Sequence, residues 1–96
     1  MRLVWTSTAR ESMRTITAFL AAKNPAAAQE VVSRVSASIE SLLIFPQKGR
    51  PAKSGTRELV IPKTSYIVPY RIKGDQTELL HVFHTHRKPP RQWEAA

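Results

Sequence analysis

The sequence predicts an α+β fold of order β-α-α-β-β-β, an antiparallel helical hairpin packed on a small, twisted, mainly antiparallel sheet. Two observations carry this. Apolar residues recur at helical spacing between Ala9 and Leu42, and that period vanishes after Gly49, where three strand-like runs follow. There is no internal repeat, low-complexity stretch or long linker. One domain is therefore expected over residues 1–88, with residues 89–96 as a C-terminal tail.

The elements follow in order. Leu3-Val4-Trp5 is a short apolar run and reads as an opening strand. Thr8 and Glu11 have the spacing of a capping box, and Ala9, Met13, Ile16 and Leu20 then fall on one helical face. Asn24-Pro25 stops that helix and starts the next, because asparagine caps and proline presets φ at the first helical position. Ala28, Val32, Val35, Ile39 and Leu42 form the stripe of the second helix, which must end before Pro46. So short a joint makes the pair antiparallel.

Residues 57–61 read as a strand and residues 66–72 as another, with Tyr66, Val68, Tyr70 and Ile72 on one face and Arg71 on the other. Pro69 conflicts with a central strand, since it donates nothing to a ladder. Lys73-Gly74-Asp75-Gln76 is a turn, and residues 78–84 are expected as one final strand.

Composition limits what the chain does. With 42% apolar and 23% charged residues over 96 positions it is globular and holds one core. No run reaches the roughly 18 apolar residues of a membrane span, and the start lacks a signal peptide's apolar region. There is no cysteine, so disulfides and thiolate metal sites are excluded and a cytoplasmic location is expected. Net charge is +8, with ten basic residues against four acids after position 47 and five against three before it. Such a surface suits nucleic acid or an acidic protein partner, although basic residues also serve solubility alone.

The second half also carries the candidate chemistry. Guanidinium groups such as Arg71 and Arg87 offer paired donors to phosphate or carboxylate, and His84 and His86 exchange protons near neutral pH. Together these four would suit RNA cleavage, one group taking the 2′-hydroxyl proton while others stabilise the phosphorane. If Leu80, Val82 and His84 share Arg71's face, His84 sits across from Arg71's strand. The bland alternatives are an Arg71–Glu58 ion pair and packed or solvated histidines. A metal site from His81, His84 and His86 is not expected, because His81 points away from the other two and no carboxylate has ligand spacing. No cofactor is expected either, since phosphate-cradling glycine loops and serine nucleophile motifs are absent. A DNA-reading module is disfavoured because the second helix bears only Arg34.

The ordered set Trp5-Thr6 then Ala9, Asn24-Pro25 with Ala27-Ala28, Phe45-Pro46 then Gly49-Arg50, Thr56-Arg57-Glu58-Leu59, Tyr66-Ile67-Val68-Pro69-Tyr70-Arg71 and His84-Thr85-His86-Arg87 resembles the RelE/ParE superfamily of bacterial type II toxins, its ParE-like branch most closely. The resemblance spans residues 5 to 87. It implies a toxin neutralised by an acidic, partly disordered cognate antitoxin that folds on binding and carries a DNA-binding domain.

The superfamily divides by target. RelE-like members cut mRNA on the ribosome, whereas ParE-like members bind DNA gyrase and block its cycle. Arg71 and Arg87 match positions of phosphate-contacting arginines in the nuclease branch, and His84 and His86 could stand in for its acid or base. The nuclease loop lysines are reduced to Lys48, Arg50 and Lys53, and Lys88-Pro89-Pro90 replaces the aromatic that often follows the last arginine. The resemblance thus favours gyrase inhibition over a ribosome-dependent endoribonuclease. Target contacts are expected from Lys48, Arg50, Lys53 and Arg57 in the loop and first strand after it. Arg71, Arg87, Lys88 and Trp93 complete the set.

Overall fold

The computed structural model describes residues 1–85, so His86, Arg87, Lys88 and Trp93 lie outside the described residues. Six strands and two long helices follow the order β1 (Arg2–Trp5), α1 (Ser7–Lys23), α2 (Pro25–Ser41), β2 (Arg50–Pro51), β3 (Arg57–Val60), β4 (Tyr66–Lys73), β5 (Gln76–Leu79) and β6 (Phe83–His84). The sheet runs β1-β5-β4-β3-β2, with β6 also on β4. Among the described residues only β1 pairs in parallel, with β5, so the mainly antiparallel α+β layer expected from the sequence is present. No helix among the described residues is long and apolar enough to cross a membrane.

The helical hairpin turns on one residue. The Asn24 amide closes α1 by donating to the Leu20 carbonyl (2.8 Å), and its Oδ1 opens α2 by accepting from the Ala27 amide (3.2 Å). Pro25 stands at the first position of α2. Ala9, Val35, Ile39 and Leu42 are buried against Leu59, Val68, Tyr70, Leu79 and Val82, with Met13, Ile16 and Leu20 packed alongside. The predicted stripes thus meet the predicted strand face.

The start of α1 differs from the expectation. Thr6, not Thr8, is the cap: its Oγ1 accepts from the Ala9 amide (3.1 Å) and donates to the Leu79 carbonyl (2.7 Å). Thr8 lies inside the helix. A hydroxyl that both caps the helix and ties it to β5 has more partners than one that only caps.

The expected strand over residues 78–84 is also two pieces. Leu80, His81 and Val82 are buried but lie between β5 and β6, outside the ladder. Their backbone finds other partners: the Leu80 amide donates to the Pro69 carbonyl (2.8 Å) and the Val82 amide to Ser12 Oγ (3.0 Å). This break resolves the Pro69 conflict. The Pro69 carbonyl points toward the gap between β5 and β6, and so does its ring nitrogen, because a strand residue turns both backbone groups to one side. The missing donor falls where no ladder runs.

Candidate functional site

The basic loop between α2 and β3 is tied down from beneath by Tyr70 and Arg57. Tyr70 stands in the middle of β4 and is fully buried. Its hydroxyl donates to the Pro46 carbonyl (2.7 Å) and accepts from the Gly49 amide (2.8 Å). Burial pushes this phenol above its ordinary 10.0, against the opposing pull of the Gly49 amide and the Arg57 charge, so it remains a donor. Arg57 Nη1 donates to the Gly49 carbonyl (2.7 Å) and the Gln47 carbonyl (3.2 Å).

Gly49 permits the close approach. A Cβ there would lie 2.6 Å from Tyr70 Cε1 and 2.9 Å from the Glu58 carbonyl oxygen. The Phe45-Pro46 and Gly49-Arg50 pair thus marks a loop pinned at Pro46 and Gly49. After β2, the single 3-10 turn Lys53–Gly55 closes with Thr56 Oγ1 donating to the Lys53 carbonyl (2.6 Å).

On that frame the cations face outward. Lys48 Nζ reaches Ser41 Oγ (3.1 Å), and Arg50 Nε meets Glu58 Oε1 (3.1 Å) with the Arg50 side chain 61% exposed. Glu58 is therefore the ion-pair member that its basic neighbours suggest, and Lys53 is exposed on its turn. Beside these cations stands an apolar group that sequence reasoning missed. Leu43, Ile44 and Phe45 are 44%, 74% and 61% exposed. The signal was available: Leu42-Leu43-Ile44-Phe45 is an apolar run, and a helix end turns only part of such a run inward.

Arg71 lies on the face opposite Tyr70, as alternation predicts. Its carboxylate partner is Glu78, directly across on β5 at 2.6 Å, and not Glu58. Glu58 is opposite Pro69 and engaged by Arg50, which leaves Glu78 as the acid at Arg71's position in the ladder. His84 pairs with Tyr66, and the two rings meet edge-on at 5.3 Å. It therefore shares Tyr66's face and not Arg71's. Five positions of β4 separate Tyr66 from Arg71, roughly 17 Å of extended chain. The structure does not bring His84 and Arg71 together.

His81 is 8% exposed, with Nδ1 2.8 Å from the Val82 carbonyl and its ring edge-on to Phe83 at 6.1 Å. Burial lowers its pKa below the ordinary 6.5, against the opposing pull of the Val82 carbonyl. Among the described residues no three histidine or acidic side chains are grouped to hold a metal ion.

With this geometry established, comparison with known proteins decides the family. A family model described as ParE toxin of type II toxin-antitoxin system, parDE, matches residues 3–89. The chain belongs to the ParE toxin family. Among relatives, this toxin is 39% identical to Putative toxin Y4kP of Sinorhizobium fredii over 90 residues, covering 93% of each chain. It is 28% identical to Toxin RelE2 of Caulobacter vibrioides, covering 90% of this chain and 97% of that one. A solved structure described as the chromosomal ParDE TA system from P. aeruginosa superposes with TM-score 0.79 at 23% identity. It covers 90% of this chain and 97% of that one, and the likeness establishes a common fold. The RelE/ParE resemblance read from the ordered motifs is thereby confirmed. The protein is a type II toxin of the ParE/RelE family.

Proposed function

We propose that this ParE-family toxin arrests growth by binding DNA gyrase and blocking its cycle, and that direct binding of a cognate antitoxin neutralises it. The observation that carries the reading is the divergence of Arg71 and His84, the two candidate cleavage residues that are described. Acid–base cleavage of RNA needs a proton acceptor and a phosphate-stabilising group converging on one reacting centre. Here Arg71 is engaged by Glu78 at 2.6 Å on one face, while His84 packs on Tyr66 on the other. A toxin that acts by binding needs no such convergence.

The contact surface that fits this reading is the pinned loop. Leu43, Ile44 and Phe45 supply exposed apolar area, with Lys48, Arg50 and Lys53 as a cationic border. Apolar anchors with a charged rim suit a protein target better than a phosphate backbone, which is met chiefly by cations and hydrogen-bond donors. The partner half of the proposal rests on family membership, and the +8 chain suits an acidic antitoxin segment that folds on binding.

The test is direct. Toxin freed of antitoxin should inhibit gyrase supercoiling or trap cleaved DNA, and Ile44→Asp should weaken that effect. Normal supercoiling at saturating toxin overturns the gyrase reading. Cuts in translated mRNA under wild-type expression, lost in a folded Arg87→Ala variant, would instead establish the ribosome-dependent endoribonuclease.

A further inference from the structure

The face of the sheet turned away from the helices carries two ion pairs that the proposed contact surface does not explain. Tyr66, Val68 and Tyr70 of β4 pack into the core, so Pro69, Arg71 and Lys73 lie on the opposite face. Register extends that face across the neighbouring strands. Glu58 stands opposite Pro69 and Arg50 opposite Glu58, while Glu78 stands opposite Arg71. Gln76 stands opposite Lys73, and Arg2 opposite Gln76. Arg2, Arg50, Arg71 and Lys73 therefore share one face. Basic residues gathered on one face are the electrostatic footprint of nucleic-acid binding.

Glu58 and Glu78 interrupt that footprint. Among the described residues they are the only acids within strands, and each is in register with an arginine. Glu58 Oε1 accepts from Arg50 Nε at 3.1 Å, and Glu78 Oε1 accepts from Arg71 Nε at 2.6 Å. In both pairs the carboxylate occupies one donor of the planar fork that a phosphate would use. Both carboxylates are also less exposed than their partners. Glu58 is 23% exposed against 61% for Arg50, and Glu78 16% against 29% for Arg71.

A carboxylate drawn that far from water recovers little net stability from its ion pair. Holding the sheet together is thus a weak reason for two of them. Their effect on recognition is larger. A phosphate approaching Arg50 or Arg71 meets a fixed negative charge beside the guanidinium, and such like-charge contact suppresses the wrong partner. An uncharged or apolar protein surface meets no such penalty.

We infer that Glu58 and Glu78 are specificity-determining residues that keep nucleic-acid phosphates off this face of the sheet. The exclusion goes beyond the gyrase reading and does not require gyrase to be the target. The test is the affinity of full-length toxin, freed of antitoxin, for a fluorescein-labelled single-stranded oligouridylate of about 20 nucleotides, read by anisotropy. Glu58→Gln/Glu78→Gln keeps the side-chain shape and an acceptor oxygen while removing both charges. It should bind about tenfold or more tighter than the wild type. Its log K should also fall more steeply with log salt, by roughly 0.7 for each arginine that gains a phosphate.

The charge-matched control is Glu11→Gln/Glu30→Gln, which removes two carboxylates from exposed ion pairs on the helices and should gain far less. Adding Arg50→Gln and Arg71→Gln to the first variant should return the affinity to the wild-type level. Should Glu78→Gln unfold the sheet, Glu58→Gln against Glu11→Gln gives the same comparison, because Arg50 lies on the edge strand β2. Equal gains in the sheet and helix variants would reduce the effect to net charge and overturn the inference. A wild type that already binds the oligonucleotide as tightly as Glu58→Gln/Glu78→Gln would overturn it as well. Loss of supercoiling inhibition bears on the gyrase reading alone.

Discussion

Replacing Gly49 by alanine would set a methyl group 2.6 Å from Tyr70 Cε1 and 2.9 Å from a backbone oxygen that cannot swing away. The expected loss is about 1–3 kcal/mol, the usual cost of overpacking. Tyr70→Phe tests the same device from the other side. It leaves the buried Gly49 amide and the Pro46 carbonyl without their partner, again at about 1–3 kcal/mol. Because the two changes act on one contact, the double variant should lose clearly less than the sum, as denaturant midpoints will show. Strict additivity would mean that Tyr70 and Gly49 do not act as a unit. His81 gives a second expectation at this scale. Burial holds its folded pKa below the ordinary 6.5, so below that pH the unfolded chain takes up a proton that the native chain refuses. The contribution is fully present above 6.5 and is lost as pH falls from there through the lowered folded value. Wild-type stability should therefore drop more between about pH 7.5 and about pH 5.5 than that of His81→Leu in parallel urea titrations. Equal slopes would refute it.

Among the elements, the helical hairpin was the most legible from sequence and the end of the sheet the least. Asn24-Pro25 announces both its ends, and Ala9, Met13, Ile16 and Leu20 face the core as their spacing says. Local chemistry suffices there, because one asparagine satisfies the α1 terminus and the α2 terminus. Asn24→Ala should cost about 1 kcal/mol through the lost side-chain cap. That corresponds to a fall of roughly 4–8 °C in thermal midpoint for a domain of this size. An unchanged midpoint would show that Pro25 alone sets the start of α2. The break between β5 and β6 was not legible, because its cause is tertiary. It depends on Thr6 and Ser12 reaching over from α1 to the Leu79 carbonyl and the Val82 amide. The same break decides the candidate site. Had residues 78–84 run as one strand in the register that sets Glu78 on Arg71, His84 would have shared Arg71's face. As two pieces, the register places Glu78 on Arg71 and His84 on Tyr66. The Arg71–Glu78 pair also qualifies any alanine scan. Arg71→Ala strands a carboxylate that is only 16% exposed, so a loss of toxicity should be compared with Arg71→Ala/Glu78→Ala, in which that carboxylate is removed as well.

At the scale of the whole molecule, the excess of positive charge should govern how fast partners arrive more than how tightly they hold. The formal net charge is +8, and Lys48, Arg50 and Lys53 are exposed on one pinned loop. A field of that sign attracts an acidic chain over the screening length, which shrinks from about 10 Å at about 0.1 M salt to about 3 Å at about 1 M. Contacts made by exposed apolar side chains such as Ile44 and Phe45 are not screened in this way, and they resist dissociation. If the antitoxin neutralises by covering this same loop, the rate constants for its binding should respond differently over that range. Association should slow by about tenfold or more while dissociation changes far less. Stopped-flow mixing with displacement by excess unlabelled antitoxin measures both. If salt acted chiefly on dissociation, the complex would be held by ion pairs at its centre, and Leu43, Ile44 and Phe45 would need a different explanation. If neither rate moved, the uneven charge would be serving solubility alone. A matching series with gyrase tests the proposed target: if gyrase meets this loop, it should show the same dependence, and its binding should be lost in Lys48→Glu/Lys53→Glu.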